Sequence, residues 1–281
     1  MVAQRNPSSA GEAHRVQAIV SVRLCPVAAH VSVPVSARNA KPSPAGPRTV
    51  ALVPAAGRGL RMGGHIPKQF LALGGRPILA QSLLVLQASP LIHEIILAVP
   101  QSERQYCLDH IVATGEFSKV TKVVPGGVQR QDSVRHALAE VSQETEIVLV
   151  HDAVRPFLTE DMIRRVVAAA VEHGAAIIAL PMRDTVKYVG AGGVIERTVD
   201  RRPLWLAQTP QAFRRDWLEE GHHKALLAGV QATDDAHLVE LIGKPVVVVE
   251  GSGENIKVTR PEDLVIGEAI LNSRTAARSG E

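Results

Sequence analysis

From Thr49 onward the sequence predicts an α/β fold: a parallel sheet with helices on both faces and one projecting β-hairpin arm. Three observations carry this. Short apolar runs alternate with amphipathic stretches, a glycine-rich turn follows the first apolar run directly, and one β-rich hairpin interrupts the alternation.

The elements are expected in chain order as follows. Residues 1–48 hold Pro34, Pro42, Pro44 and Pro47, which interrupt any regular element, so this segment reads as a poorly ordered extension. Strands are expected at Val50–Val53, Ile95–Val99, Val120–Val124, Ile147–Val150, Ala176–Leu180 and Val246–Val249, where β-branched and other apolar residues run together. Helices are expected near Ile78–Gln87, Ser133–Val141, Met162–Glu172 and Pro261–Leu271. For the last, Thr259 reads as the N-cap with Glu262 reaching back, and Pro261 stands in the first turn, where its missing N–H costs nothing. Between Arg183 and Trp205, Thr185–Val189 and Val194–Val199 flank Gly190-Ala-Gly-Gly193, which reads as a hairpin. An arm that carries Val and Tyr needs a surface to cover, and a partner subunit is the expected cover. The organisation is therefore an extension (1–48), a catalytic domain (49–272, arm about 183–205) and a C-terminal tail (273–281).

Composition narrows the function classes. The longest apolar runs have strand length, far short of the about 20 residues needed to cross a bilayer, so no membrane partner is expected. Cys25 and Cys107 lie in unrelated contexts, which suggests neither a disulfide framework nor a metal cluster and fits a reducing compartment. The formal charge of +3 is misleading, because residues 1–48 carry six basic residues against Glu12 alone and leave the remainder at −2. A weakly acidic body does not bind nucleic acid. The arginine-rich leader matches the composition of an organelle transit peptide, but the plainer reading, a tail or an upstream start, is preferred. The cytoplasm is the expected location, with the plastid as the alternative.

The chemistry concentrates after the first strand, in Val53-Pro54-Ala55-Ala56-Gly57-Arg-Gly59-Leu-Arg61-Met62 followed by Pro67-Lys68-Gln69. Ligands of open α/β sheets sit at the carboxyl ends of strands, where small residues let backbone N–H groups reach phosphate oxygens. A dinucleotide fingerprint would need a small residue at Met62, and a Walker loop would need Gly-Lys-Ser/Thr; neither is met. A Gly-x-Gly alone is also a structural turn, but Arg61 and Lys68 beside it suit a triphosphate. Elsewhere the residues leave alternatives open. His151-Asp152 at a strand end reads as half a metal site or as a ligand contact. Arg201-Arg202 reads as a solvated charge pair, and Thr185, Thr209 and Thr233 read as caps of helices or turns. His222-His223, adjacent on a helix, reads as surface.

Taken in order, these motifs resemble the 2-C-methyl-D-erythritol 4-phosphate cytidylyltransferase family over about Thr49–Asn272. Pro-Ala-Ala-Gly-x-Gly-x-Arg-Met with Pro-Lys-Gln resembles its signature loop, Gly126-Gly127-Val-Gln-Arg130-Gln-Asp132-Ser133 its base-recognition segment, and His151-Asp152-Ala153-Val154-Arg155 its substrate and ribose segment. Arg183-Asp-Thr185, Thr198-Val-Asp-Arg201, Gln208-Thr209-Pro-Gln211, Thr233-Asp-Asp235 and Asn255-Ile-Lys257 complete the series. Val154 stands where the family often has alanine and Asp235 where it often has glutamate; neither change removes a functional group.

The resemblance implies a Rossmann-like nucleotidyltransferase sheet, CTP and methylerythritol phosphate as substrates, Mg2+ carried on the CTP phosphates with no direct protein ligand, and a homodimer joined through the arm. It implies that Arg61 and Lys68 stabilise the reacting phosphates while Arg201 and Lys257 position the incoming one. Pro54, Ala55, Ala56, Gly57 and Gly59 cradle the triphosphate on this reading, Gly127 and Ser133 read the cytosine, and Asp152 and Ala153 lie near the ribose. Asp152, Arg155, Thr185, Thr209 and Thr233 join Arg201 and Lys257 around the acceptor. Two other readings stand beside it: another sugar-phosphate nucleotidylyltransferase, and a non-catalytic nucleotide-binding protein. A glycosyltransferase would usually show an Asp-x-Asp motif after a strand, and none occurs.

Overall fold

The computed structural model describes residues 46–57, 67–113 and 117–279. The leader through residue 45, and Gly59 and Arg61 in the glycine loop, lie outside the described residues.

Strand β1 (Thr49–Pro54) is buried on both faces, as its unbroken apolar run requires. A short hairpin, β2 (Ala72–Leu73) and β3 (Arg76–Pro77), leads into α1 (Ile78–Ala88), then β4 (Glu94–Val99), the short α2 (Arg104–Cys107) and β5 (Val120–Pro125). Next come α3 (Arg130–Leu138), β6 (Ile147–Val150), α4 (Glu160–His173) and β7 (Ala175–Pro181). The arm is the pair β8 (Val186–Val189) and β9 (Ile195–Val199). The chain finishes with β10 (Trp205–Arg214), α5 (Arg215–Ala228), α6 (Asp235–Leu241), β11 (Val247–Glu250) and α7 (Pro261–Ser279).

The main sheet has seven strands in the order β11-β7-β10-β6-β1-β4-β5. Side chains alternate across it. Ala51, Val53, Ile95, Leu97 and Leu149 pack with Leu83 of α1 and Ile163 and Val166 of α4 on one face. Val50, Leu52, Ile96, Val148 and Phe213 pack with Val134 of α3, Leu218 of α5 and Val239 of α6 on the other. Helices thus cover both faces, as expected. A third cluster, Leu73, Ile78, Phe157 and Val258, packs against Leu264, Ile270 and Leu271 of α7.

The sheet departs from the sequence expectation in one respect: it is mixed. β10 runs antiparallel to both β6 and β7. The sequence expectation has no strand there, and Pro210, inside it, removes a ladder donor. The register between β10 and β7 breaks between Ala207 and Gln211, so Pro210 sits in the irregularity, where no regular ladder bond is required of it.

Two other expectations are corrected. The carboxylate that caps α7 belongs to Asp263, not Glu262: it accepts from Thr259 N at 2.7 Å and Arg260 N at 2.8 Å. His222 is buried, while His223 is exposed. Their adjacency argues against a helical metal pair but says nothing of which one faces inward. The buried residues of α5 are Leu218, Gly221, His222 and Ala225, the i, i+3, i+4, i+7 stripe of a core-facing helix. Gly221 belongs to it because α5 and α6 approach so closely that a Cβ there would stand 2.7 Å from Leu238 O.

Gly174 ends α4 in the left-handed region at φ 92°, with its N–H donating to Ala170 O at 2.8 Å. A Cβ at this position would fall 2.2 Å from the Trp217 ring. Gly174→Ala is therefore strained twice, by backbone and by contact. It lowers the unfolding free energy by about 1–3 kcal/mol, read as a shifted denaturant midpoint at unchanged slope.

Candidate active site

The parallel strands end on one rim of the sheet, and the site is built there. Beyond β1, Ala55 N donates to Ala98 O at 2.7 Å, so the chain stays in register with β4 as it enters the glycine loop. Gln69 Nε2 donates to Ala55 O at 2.6 Å and ties the turn Lys68–Phe70 back to that loop. Beyond β5, Gly126 packs against Ala56 so tightly that a Cβ would meet the Ala56 methyl at 2.1 Å; only glycine lets these two loops touch. The Ser133 hydroxyl accepts from Gly127 N at 3.1 Å and donates to Gln129 O at 3.2 Å, which fixes the backbone at the start of α3.

Asp152 follows β6 and is nearly buried. Arg130 Nε donates to its Oδ1 at 2.7 Å, and Lys257 Nζ, from the segment after β11, donates to its Oδ2 at 2.7 Å. Burial alone would raise the Asp152 carboxyl, but the Arg130 and Lys257 charges outweigh it and hold the group well below the usual carboxylate range. The second arm of the Arg130 guanidinium meets Asp235, with Nη1 at 2.8 Å from Oδ2.

A relay of neutral groups sets the Asp152 backbone. Asp152 N donates to Thr209 Oγ1 at 3.0 Å, and the Thr209 hydroxyl pairs with His151 Nδ1 at 3.2 Å. His151 Nε2 pairs with Arg155 O at 3.0 Å. A carbonyl can only accept, so Nε2 carries the proton and Nδ1 accepts from Thr209. Burial pushes the His151 imidazole down to about 4, against the bond to Arg155 O, and keeps it neutral. Arg155 Nη1 donates to Asn255 O at 2.7 Å, and Asn255 Nδ2 donates to Thr209 O at 2.9 Å, which joins the Lys257 segment to β10.

The sequence-derived residues fall into three groups. Pro54, Ala55, Ala56, Gly57 and Lys68 line one side of a cleft, with Gly127, Ser133, Asp152, Ala153 and Lys257 opposite or beneath them. Arg155, Thr209 and Thr233 line an adjoining cleft that shares Arg130, Asp152 and Lys257 with the first. Thr185 and Arg201 line neither within this chain: both are exposed on the arm, where Arg201 Nη1 donates to Arg183 O. Arg202, left without a role above, pairs with Asp200 at 2.7 Å on the surface. Sequence reasoning passed over Arg130, Gln69, Gln211 and Asp235. All four stand inside quoted motifs, and an arginine opening a helix beside a strand-end aspartate was the available signal.

A cleft that opens on Ala55, Ala56 and Gly57, a backbone notch held by a serine, and cations on two sides of one ionised carboxylate, all on the carboxyl rim of an α/β sheet, mark the protein as a nucleotidyltransferase. The family model described as "IspD: 2-C-methyl-D-erythritol 4-phosphate cytidylyltransferase" matches residues 49–273, and the chain belongs to that family. It is 49% identical over 225 residues to the 2-C-methyl-D-erythritol 4-phosphate cytidylyltransferase of Syntrophus aciditrophicus, an alignment spanning 80% of this chain and 96% of that protein. Among solved structures, the Anaerococcus prevotii 4-diphosphocytidyl-2C-methyl-D-erythritol synthase superposes with a TM-score of 0.71 at 30% identity, covering 80% of this chain and 99% of that one. The Thermus thermophilus 2-C-methyl-D-erythritol 4-phosphate cytidylyltransferase gives 0.65 at 36% identity, covering 79% and 98%.

The neutral His151 has a pH consequence. Its folded pKa of about 4 lies below the ordinary 6.5, so the unfolded chain binds the proton more readily between these values. Stability is fully present above about 6.5 and falls as pH drops toward 4, with a His151 contribution of about 3 kcal/mol across that window. Urea unfolding at pH 7 and pH 5 measures the loss, and an NMR titration that found His151 protonating near 6.5 would refute its cause.

Proposed function

We propose that the protein transfers the cytidylyl group of CTP to 2-C-methyl-D-erythritol 4-phosphate, giving 4-diphosphocytidyl-2-C-methyl-D-erythritol and pyrophosphate. The observation that carries this reading is the pair of lysines on one cleft, Lys68 beside the glycine loop and Lys257 on Asp152, which suits two phosphate groups brought together.

An acceptor phosphate oxygen attacks the α-phosphorus of CTP in line. The new P–O bond forms as the bond to the bridging oxygen of the leaving pyrophosphate breaks. A phosphate monoester has its second pKa near about 6, so the nucleophile is largely deprotonated at neutral pH and needs no general base. His151, neutral and engaged at both ring nitrogens, is not used as one. The barrier is repulsion between anions, and the chain answers it with cations. Lys68 and Arg61 stabilise charge on the α-phosphate and the departing pyrophosphate, while Lys257 positions the incoming phosphate.

Mg2+ fits this site as an ion carried on CTP. Asp152, the one carboxylate on the glycine-loop cleft among the described residues, already gives both oxygens to Arg130 and Lys257. Such an ion would be held through the CTP phosphates and not by a side chain of this cleft, and it would supply neutralisation of phosphate charge.

The arm completes the site from a second copy. Tyr188, Val189, Val194 and Ile195 are exposed on it, an apolar surface that a homodimer would cover. Arg201 and Thr185 would then reach the acceptor in the neighbouring subunit. A reducing cytoplasm suits the free thiol of Cys107, which burial pushes up to about 12.

Pyrophosphate release with CTP, Mg2+ and a panel of polyol phosphates tests the reaction. Turnover with methylerythritol phosphate is expected, and CTP binding without turnover on any of the panel would leave only a nucleotide-binding role. Lys68→Ala lowers turnover by roughly 10²-fold or more. For the shared site, inactive Lys68→Ala and Arg201→Ala variants are mixed under subunit exchange. Random pairing leaves each mixed dimer with one intact site, so activity returns to about a quarter of wild type. Exchange verified by mass spectrometry without any recovery would place both residues in one chain's site.

A further inference from the structure

Among the described residues, Asp235 is the one buried carboxylate that stands outside the two clefts. It is fully buried, it lines neither cleft, and no step of the reaction above uses it. Burying a carboxylate costs more than burying an apolar side chain of similar size, so its presence calls for a reason other than packing.

Its position is closely fixed. Asp235 opens α6, and the Gln211 side chain of β10 accepts from Asp235 N and Ala236 N, each at 3.2 Å. The same glutamine donates from Nε2 to Asp234 Oδ2 at 2.9 Å, while Asp234 Oδ1 accepts from His237 N at 3.1 Å. The nearest imidazole, His222, stands 3.9 Å from Asp235 Oδ1, outside hydrogen-bond reach, and burial lowers its pKa. Arg130 is therefore the charged partner of Asp235, at 2.8 Å.

We infer that Asp235 is a positioning residue for the cytidylyl transfer: by holding one arm of the Arg130 guanidinium, it limits Arg130 to one oxygen of Asp152 and leaves the other for Lys257. The inference rests on the reaction proposed above. The chain Asp235–Arg130–Asp152–Lys257 alternates in sign, with contacts of 2.8, 2.7 and 2.7 Å. Asp235 holds Nη1 and so sets the plane of the guanidinium, which keeps Nη2, buried without a hydrogen-bond partner, off the second Asp152 oxygen. A guanidinium freed from Asp235 can swing Nε and Nη2 onto both oxygens of the carboxylate. With Asp235 neutral, Arg130 turns wholly onto Asp152, two cations compete for one carboxylate, and Lys257 loses the anchor that fixes its ammonium at the cleft.

The test is a double-mutant cycle between Asp235 and Lys257, read as kcat/KM for the acceptor phosphate on folded, full-length protein, with thermal unfolding followed alongside. Asp235→Asn is expected to lower kcat/KM by roughly 10-fold or more in the wild-type background, but by less than about 3-fold when Lys257→Ala is already present, because coupled residues are not additive. Asp235→Glu, which keeps the charge, restores most of the loss. Losses from Asp235→Asn and Lys257→Ala that simply multiply would overturn the inference. So would an Asp235→Asn enzyme equal to wild type, or an Asp235→Glu enzyme no better than Asp235→Asn. If Asp235→Asn does not fold, Arg130→Lys, which keeps the charge but not the fork, goes through the same cycle with Lys257→Ala, and coupling or its absence decides in the same way. Wild-type turnover in the same assay separates the two claims: its absence defeats the proposed reaction, whereas its presence with uncoupled losses defeats only the role of Asp235.

Discussion

The Asp152 carboxylate, shared between Arg130 and Lys257, is the interaction on which the rest of the site depends. A buried carboxyl tends to protonate, and a neutral acid here would hold neither cation. Two cations keep it ionised, and it in turn draws together parts of the chain separated by 22 and 105 residues. Lys257 reaches the cleft from the end of the chain because this anion stands at the end of β6. The fold supplies the remainder as fixed dipoles: the Thr209 hydroxyl under Asp152 N, the His151 ring behind it and the Arg155 carbonyl behind that.

Around this charge centre the structure uses close backbone approach. Gly126 lets the loop after β5 lie against Ala56, and Ser133 then locks the next peptide. The cleft is thus walled by main chain on one side and by charge on the other.

Much of the architecture was legible because strands buried on both faces must be apolar throughout. Val50–Val53 and Ile147–Val150 leave no other reading, and the glycine turn between Tyr188 and Ile195 marks the arm. What escaped were elements whose buried positions are polar. β10 buries Gln208, Thr209 and Gln211, residues that resemble a loop until their partners are known. α5 was expected as a helix around His222, but its inward face was not, because Gly221 and His222 stand on the core-facing stripe where a hydrophobic residue would have announced it. Of the residues singled out in the sequence, Ala55, Ala56, Gly57, Lys68, Asp152 and Lys257 meet on one cleft. Arg130 and Asp235 were passed over, because their pairing joins the starts of two helices on one face of the sheet that lie far apart in the chain.

The antiparallel course of β10 has a consequence for how the arm is mounted. Trp205 pairs with Pro181, so the chain leaves the sheet at the end of β7 and re-enters it at the next strand on the same rim. Both feet of the arm stand side by side at the edge where Asp152 and the glycine loop lie. The arm is in effect an interchangeable handle, a detour whose length and sequence can vary without altering any strand order beneath it. The sheet holds both ends of the arm whatever residues the arm itself carries.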